Sequence, residues 1–195
     1  MRSEYVRVNE VIEELREWFI SQRKEPAAMD YITISGSGEP TLNTGIADLI
    51  SRIKAFSSVK IAVITNASLL SDESVRREIS GADLIVPSLD AVTQEIFEKI
   101  DRPYQDIKIG DIINGLILLR KKFKGKIWLE VMLAKGINDD IRHIRKLQEV
   151  IERINPDKVQ INSPVRTASE AGVLPVAKFK LKKIKEILGE KAQII

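Results

Sequence analysis

One stretch of the chain, Ser35-Gly36-Ser37-Gly38-Glu39-Pro40-Thr41-Leu42, joins two glycines to a single carboxylate. It ends a run, Asp30 to Ser35, that alternates like a β-strand, so the turn falls at a strand's C-terminal end. A loop of small residues lets backbone amides and carbonyls approach a ligand closely, and Glu39 adds negative charge. That combination suits an ammonium group. A phosphate loop wants a lysine and several free N–H groups, and this turn offers an acid instead. Asn66 ends the next β-like run in Thr65-Asn66-Ala67-Ser68, and Ser88 and Asp90 end the one after. A hydroxyl and a carboxylate two residues apart share a strand face and could hold the two hydroxyls of a ribose. Taken singly, each of these residues is more often a strand-end cap or an Asx turn. Their convergence on one rim is what favours a ligand.

A fourth β-like run, Lys126 to Leu133, places Ile127, Leu129, Val131 and Leu133 on one face and Trp128, Glu130 and Met132 on the other. Glu130 is the residue to explain, because a carboxylate in mid-strand is costly to bury unpaired. It needs an internal partner such as Arg102 or Arg166, or a ligand. In the fifth run, Lys158 to Asn162, Val159 and Ile161 oppose Gln160 and Asn162.

The elements that must carry these residues alternate helix and strand. Val8, Val11, Ile12, Leu15 and Phe19 mark a helical face after a possible cap at Asn9. Helices are expected from about Thr44 to Phe56 and Thr93 to Ile100. Another is marked by Ile109, Ile112, Ile113, Leu116 and Leu119. Ser71 is expected to cap a short helix whose first turn holds Asp72 and Glu73. Asp139 or Asp140 caps a helix running to Arg153, and Asn155-Pro156-Asp157 breaks it. Strands are expected at Lys60 to Thr65 and Asp83 to Ser88, and a lysine-rich helix from about Ala177 to Leu188 leads to a short strand at Gln193 to Ile195. This βα repeat means a parallel sheet. Each strand has an apolar face and a second face that turns polar, whereas a flat doubly wound sheet wants both faces apolar. The fold expected is therefore α/β, a half-open, barrel-like sheet of parallel strands with helices outside. It forms a single domain over residues 1–195.

At this point the chain resembles the greater part of a radical S-adenosylmethionine (radical SAM) domain, most closely the wybutosine-synthesis-like iron–sulfur oxidoreductases. The resemblance rests on Tyr31 to Leu42, Ala62 to Leu69, Val86-Pro-Ser-Leu-Asp90, Ile100-Asp-Arg-Pro103, Gly125 to Asp139 and Asn155 to Asn162, in family order. It implies that Ser37-Gly38-Glu39 binds the amino group of S-adenosylmethionine, with Ser37 where the family has glycine. It implies that Ser88 and Asp90 lie near the ribose, Glu130 and Met132 near the adenosyl moiety, and Asn162 to Val165 against the adenine. Asn66 joins this rim. The implied fold is a six-stranded partial (half-open) TIM-like barrel. In that family a first strand and a Cys-x-x-x-Cys-x-x-Cys loop precede the first helix and hold a [4Fe–4S] cluster, which cleaves the cofactor to a 5′-deoxyadenosyl radical.

Here lies the departure. The chain has no cysteine, so its own thiolates hold no iron–sulfur cluster, disulfide or thiolate zinc. The expectation is an N-terminally incomplete domain whose first strand and cluster loop are missing and which is inactive alone. The absent strand would leave the Asp30–Ser35 edge open to self-association. The alternative is a non-catalytic nucleoside or S-adenosylmethionine binding module that never had a cluster. A barrel lyase using Lys135 is disfavoured, because no lysine sits inside an apolar strand. For the intact protein the resemblance implies an electron donor such as ferredoxin or flavodoxin, and a tRNA substrate only by analogy.

Composition narrows the classes further. A net charge of +3 permits an anionic partner without demanding one. No apolar run approaches the ~20 residues of a membrane span, so a cytoplasmic location without membrane contact is expected. His143, the sole histidine, reads as a surface residue early in a helix. The basic runs Arg120 to Lys126 and Lys178 to Lys185 read as solvated faces.

Overall fold

A computed structural model describes residues 1–22, 29–164 and 173–195. The hydrophobic periods resolve into helix α1 (Val8–Gln22), strand β1 (Tyr31–Ile34), α2 (Ile46–Phe56), β2 (Lys60–Thr65), α3 (Glu73–Glu78) and β3 (Leu84–Pro87). There follow α4 (Gln94–Ile100), α5 (Ile109–Lys122), β4 (Lys126–Met132), α6 (Ile141–Ile154), β5 (Lys158–Asn162), α7 (Lys178–Leu188) and β6 (Ala192–Ile194). The six strands form one parallel sheet in chain order, β1-β2-β3-β4-β5-β6. Chain order with helical crossovers is barrel winding, and β1 and β6 remain the two edges of an open sheet.

The sheet is curved. Tyr31 on β1 and Trp128 on β4 are three strands apart, ~14 Å along a flat sheet. Their ring centroids nevertheless lie 6.0 Å apart, edge to face. The outer face buries Ile61, Val63, Ile85, Ile127, Leu129, Val131, Val159 and Ile161 completely in the main core. The inner face holds a much smaller apolar cluster, Ala62, Leu84 and Val86, under Tyr31 and Trp128. One apolar face and one mixed face are what the strand alternation predicts.

Local signals explain where the helices begin and end, and correct some expectations. Asp72, not Ser71, caps α3: its carboxylate accepts the Ser74 N–H at 2.7 Å. Asp140 caps α6 through the Arg142 N–H at 2.9 Å, and Asn155 ends it in the left-handed conformation at φ 52°. Asn9 lies inside α1, and its Oδ1 accepts from Arg52 Nη1 at 2.6 Å. His143 is not on the surface. It shares the inward face of α6 with Ile144, Leu147 and Ile151 and is 4% exposed.

One close helix–loop contact depends on a glycine. A Cβ on Gly115 of α5 would sit 2.5 Å from the Leu70 carbonyl carbon and 2.7 Å from the Ser71 nitrogen, both backbone. Gly110, in the same helix, meets no described residue within 4 Å of that position apart from its own helix backbone and chain neighbours. Gly115→Ala is therefore expected to destabilise the fold by about 1–3 kcal/mol, while Gly110→Ala leaves it unchanged or slightly stabilised. Urea unfolding midpoints of the two variants check this; equal effects would contradict the packing described.

Candidate functional site

The site is built where the strands end. Glu39, following β1, has both carboxylate oxygens engaged. Oε1 accepts from Thr41 N (3.0 Å), Thr41 Oγ1 (2.6 Å) and Thr65 Oγ1 (2.7 Å), and Oε2 accepts from Asn66 N (2.6 Å). The same carboxylate caps the short 3-10 turn Pro40–Leu42. Glu39 thus ties the loop after β1 to the end of β2. The glycine loop it fixes is open: Ser35 to Gly38 are exposed, and among the described residues nothing beyond its chain neighbours lies within 4 Å of where a Gly38 Cβ would be.

Thr65 also accepts the Ala67 N–H at 3.0 Å, which holds buried Ala67 at φ 63°. Asn66 forms the Asx turn that is the commonplace reading of such a residue, with Oδ1 accepting from Ser68 N at 3.0 Å. Its side chain is nevertheless exposed at the rim.

Ser88 lies one residue beyond β3, half-buried and bridged to Glu130 of β4. Asp90 goes deeper than a ribose clamp requires. It is 9% exposed, and Oδ1 accepts the Met132 N–H at 2.7 Å, pinning the end of β4. Burial pushes the Asp90 carboxyl up to about 7, with Asp101 and Glu130 adding repulsion and the Met132 N–H opposing the rise. Glu130 finds its internal partner in another site residue, as Asn162 Nδ2 donates to Glu130 Oε1 at 2.9 Å. Glu130, Met132 and Asn162 are all half-buried on the inner face. Val165 and Arg166 lie outside the described residues.

Sequence reasoning missed Asn138, which is fully buried. Its Nδ2 donates to the carbonyls of Asp90 (2.8 Å) and Met132 (2.7 Å), and its Oδ1 accepts from Ala134 N (2.8 Å). Three bonds from one amide lock the loops after β3 and β4 together. The signal available was Gly136, two residues earlier, whose φ of 75° marks a tight turn that an asparagine can brace. Asp139 next to it accepts from Gly136 N (2.8 Å) and from Lys180 Nζ (2.6 Å), docking α7 on the same loop. His143 neighbours the Asp90 carbonyl, and burial, followed by Lys146, lowers its pKa against the opposing pull of Asp140 and that carbonyl.

The geometry defines a class first: an open βα half-barrel with a polar, carboxylate-bearing rim at the C-terminal ends of its parallel strands. The family model of the Radical SAM superfamily matches residues 2–147, and the chain belongs to that superfamily. Among curated proteins it is 40% identical over 165 residues to "GTPase Obg" of Brachyspira hyodysenteriae, covering 85% of this chain and 24% of that protein. It is 33% identical over 162 residues to "UPF0026 protein MJ1312" of Methanocaldococcus jannaschii, covering 83% of this chain and 50% of that one. The chain therefore spans at most about half the length of these relatives. In fold it is similar to a radical SAM methyltransferase from Sphaerobacter thermophilus, with a TM-score of 0.71 at 18% identity, covering 97% of this chain and 57% of that one. It is also similar to Streptococcus suis SuiB bound to S-adenosylmethionine, with a TM-score of 0.64 at 15% identity, covering 92% of this chain and 42% of that one.

Asp90 makes the fold itself pH-sensitive. Its folded-state value lies above the ordinary carboxylate value, so its contribution to stability is complete below about pH 4 and is lost as pH rises through about 7. Asp90→Asn keeps an acceptor for Met132 N and removes the ionisation. Between about pH 5 and about pH 8 the melting temperature of the wild type is expected to fall relative to that of the variant. A difference constant across that range would contradict the burial of this carboxyl.

Proposed function

We propose that this chain is the S-adenosylmethionine-binding core of a radical SAM iron–sulfur oxidoreductase. The observation that carries the reading is the convergence of the exposed Ser37–Gly38 loop, Asn66, Ser88, Glu130, Met132 and Asn162 on one rim, in a chain of that superfamily. The donor set suits the cofactor. An open loop of backbone carbonyls and a nearby carboxylate favour the ammonium and sulfonium charges, while hydroxyl and amide groups suit a nucleoside. Glu39 acts from behind. Its carboxylate holds the loop's shape, so the loop's backbone faces the amino group, and Asp90 and Asn138 hold the end of β4 in the same way.

A [4Fe–4S] cluster does not fit this chain's own residues. There is no cysteine, and among the described residues no group of three or more histidine, cysteine, aspartate or glutamate side chains converges as a metal site. In this superfamily the cluster supplies the electron that cleaves the cofactor. Any cluster serving this rim takes its thiolates from polypeptide outside these 195 residues. The cysteine-free composition equally favours a second reading, a cofactor-binding module without redox chemistry. The two part on protein purified from its source cell: iron–sulfur absorption after anaerobic reconstitution supports the first, its absence the second.

Calorimetric titration with S-adenosylmethionine tests the shared claim. Millimolar or tighter binding is expected. Gly38→Val, which fills the open loop, and Glu130→Gln, which removes charge but keeps an acceptor for Asn162, should each weaken it roughly fivefold or more. Lys185→Gln, on α7, should leave it unchanged. S-adenosylhomocysteine, lacking the sulfonium charge, should bind more weakly. Undetectable binding by folded protein, or binding indifferent to both rim changes, overturns the assignment.

A further inference from the structure

Below the rim, the inner face of the half-barrel changes character. Register places Trp128 beside Lys158, Leu84 beside Lys126, and Tyr31 beside Lys60, so three lysines share the sheet face of an aromatic pair over an apolar floor. Tyr31 and Trp128 meet edge to face at 6.0 Å, and both remain partly open to solvent. The Lys158 ammonium sits 4.1 Å from the centre of the indole ring. Neither Lys126 nor Lys158 forms a salt bridge among the described residues.

Two of the nearby acids have hydrogen-bond partners of their own. Asp83, which feels Lys60, is bridged to Lys54 at 3.0 Å and accepts the Ile61 N–H at 2.8 Å. Glu130, one step up the same face of β4, is bound by Asn162. Three lysines on one concave face make it electropositive, and among the described residues no salt bridge offsets Lys126 or Lys158. An anion placed beside them offsets that charge, and a flat ring attached to it packs against Tyr31 and the part of Trp128 that Lys158 leaves open.

We propose that this floor binds a planar anion: an aromatic or conjugated ring carrying a carboxylate or a phosphate, its charge held by Lys158 with Lys126 and Lys60 around it. Resting on the cofactor assignment above, the floor lies on the same concave face as the rim, so it is where the ring of the enzyme's substrate lies beneath the cofactor. Substrate class is thereby narrowed to ring-bearing anions, and neutral or cationic substrates are disfavoured by the lysines.

The test needs no cofactor, so its failure and failure of the rim assignment are separate results. The two indole N–H resonances, Trp18 and Trp128, are assigned with a Trp18→Phe variant and followed during titration with 2-naphthoate, 2-naphthyl phosphate and neutral 2-naphthamide. Saturable shifts of the Trp128 resonance, with Trp18 still, are expected for the two anions; the tighter of them identifies the preferred head group. The amide should bind about tenfold more weakly or worse. Lys158→Gln should weaken the anions roughly fivefold, and Lys158→Arg, which keeps the charge, should restore them. Equal affinity for the neutral probe, indifference to Lys158→Gln in a variant that melts like wild type, or no Trp128 shift overturns the proposal.

Discussion

Glu39 accepts four hydrogen bonds from Thr41, Thr65 and the Asn66 backbone, and among the described residues the glycine loop has no comparable anchor of its own. A parallel sheet leaves loose backbone at its C-terminal end, where each strand departs into a loop and the ladder stops. Here side chains take over from the ladder pair by pair. Glu39 joins the ends of β1 and β2, Asp90 and Asn138 join β3 and β4, and the Asn162–Glu130 bond joins β4 and β5. Ser163 adds a further tie, donating to the Leu133 carbonyl at 2.7 Å. The polar residues that read as ligand contacts in the sequence are therefore in large part the fasteners that give the rim a shape. Both roles are compatible, because a fixed shelf of backbone groups binds a ligand at lower entropic cost than a loose one.

The strands were legible because their ends carry strong local signals. Lys60–Thr65 and Lys158–Asn162 lie between turn residues on both sides, and the structure keeps those limits. The strand expected at Asp30 to Ser35 shortens to Tyr31–Ile34, an edge with one neighbour and no second ladder to hold its ends. The polar inner face was visible in the alternation of Trp128, Glu130 and Met132. Long-range partners were not. Thr65 and Asn66 meet Glu39 across 26 and 27 residues, and nothing local in sequence announces such a bond. His143 misled because it is polar and early in its helix, yet the spacing to Leu147 and Ile151 puts it on the buried face.

The inner face also runs through a gradient of chemistry. Lysines and two aromatics line its N-terminal half, while Ser88, Glu130 and Asn162 line the C-terminal half beside the glycine loop. The proposed cationic cofactor at the acidic end and the proposed anionic ring at the basic end would make a consistent electrostatic pair within one curved sheet. Membership of the radical SAM superfamily fits this division of the barrel, and the chain itself carries no cysteine.

The most direct test of the central claim, that a fastened rim is the cofactor's seat, is amide shift mapping with unlabelled S-adenosylmethionine added to ¹⁵N-labelled protein. The account predicts saturable shifts at Ser37, Gly38, Asn66, Ser88, Met132 and Asn162, with the N-terminal ends of β2, β4 and β5 and the outer helices unaffected. Shifts gathered on α7 or on the outer helices, or none at saturating ligand, would contradict it.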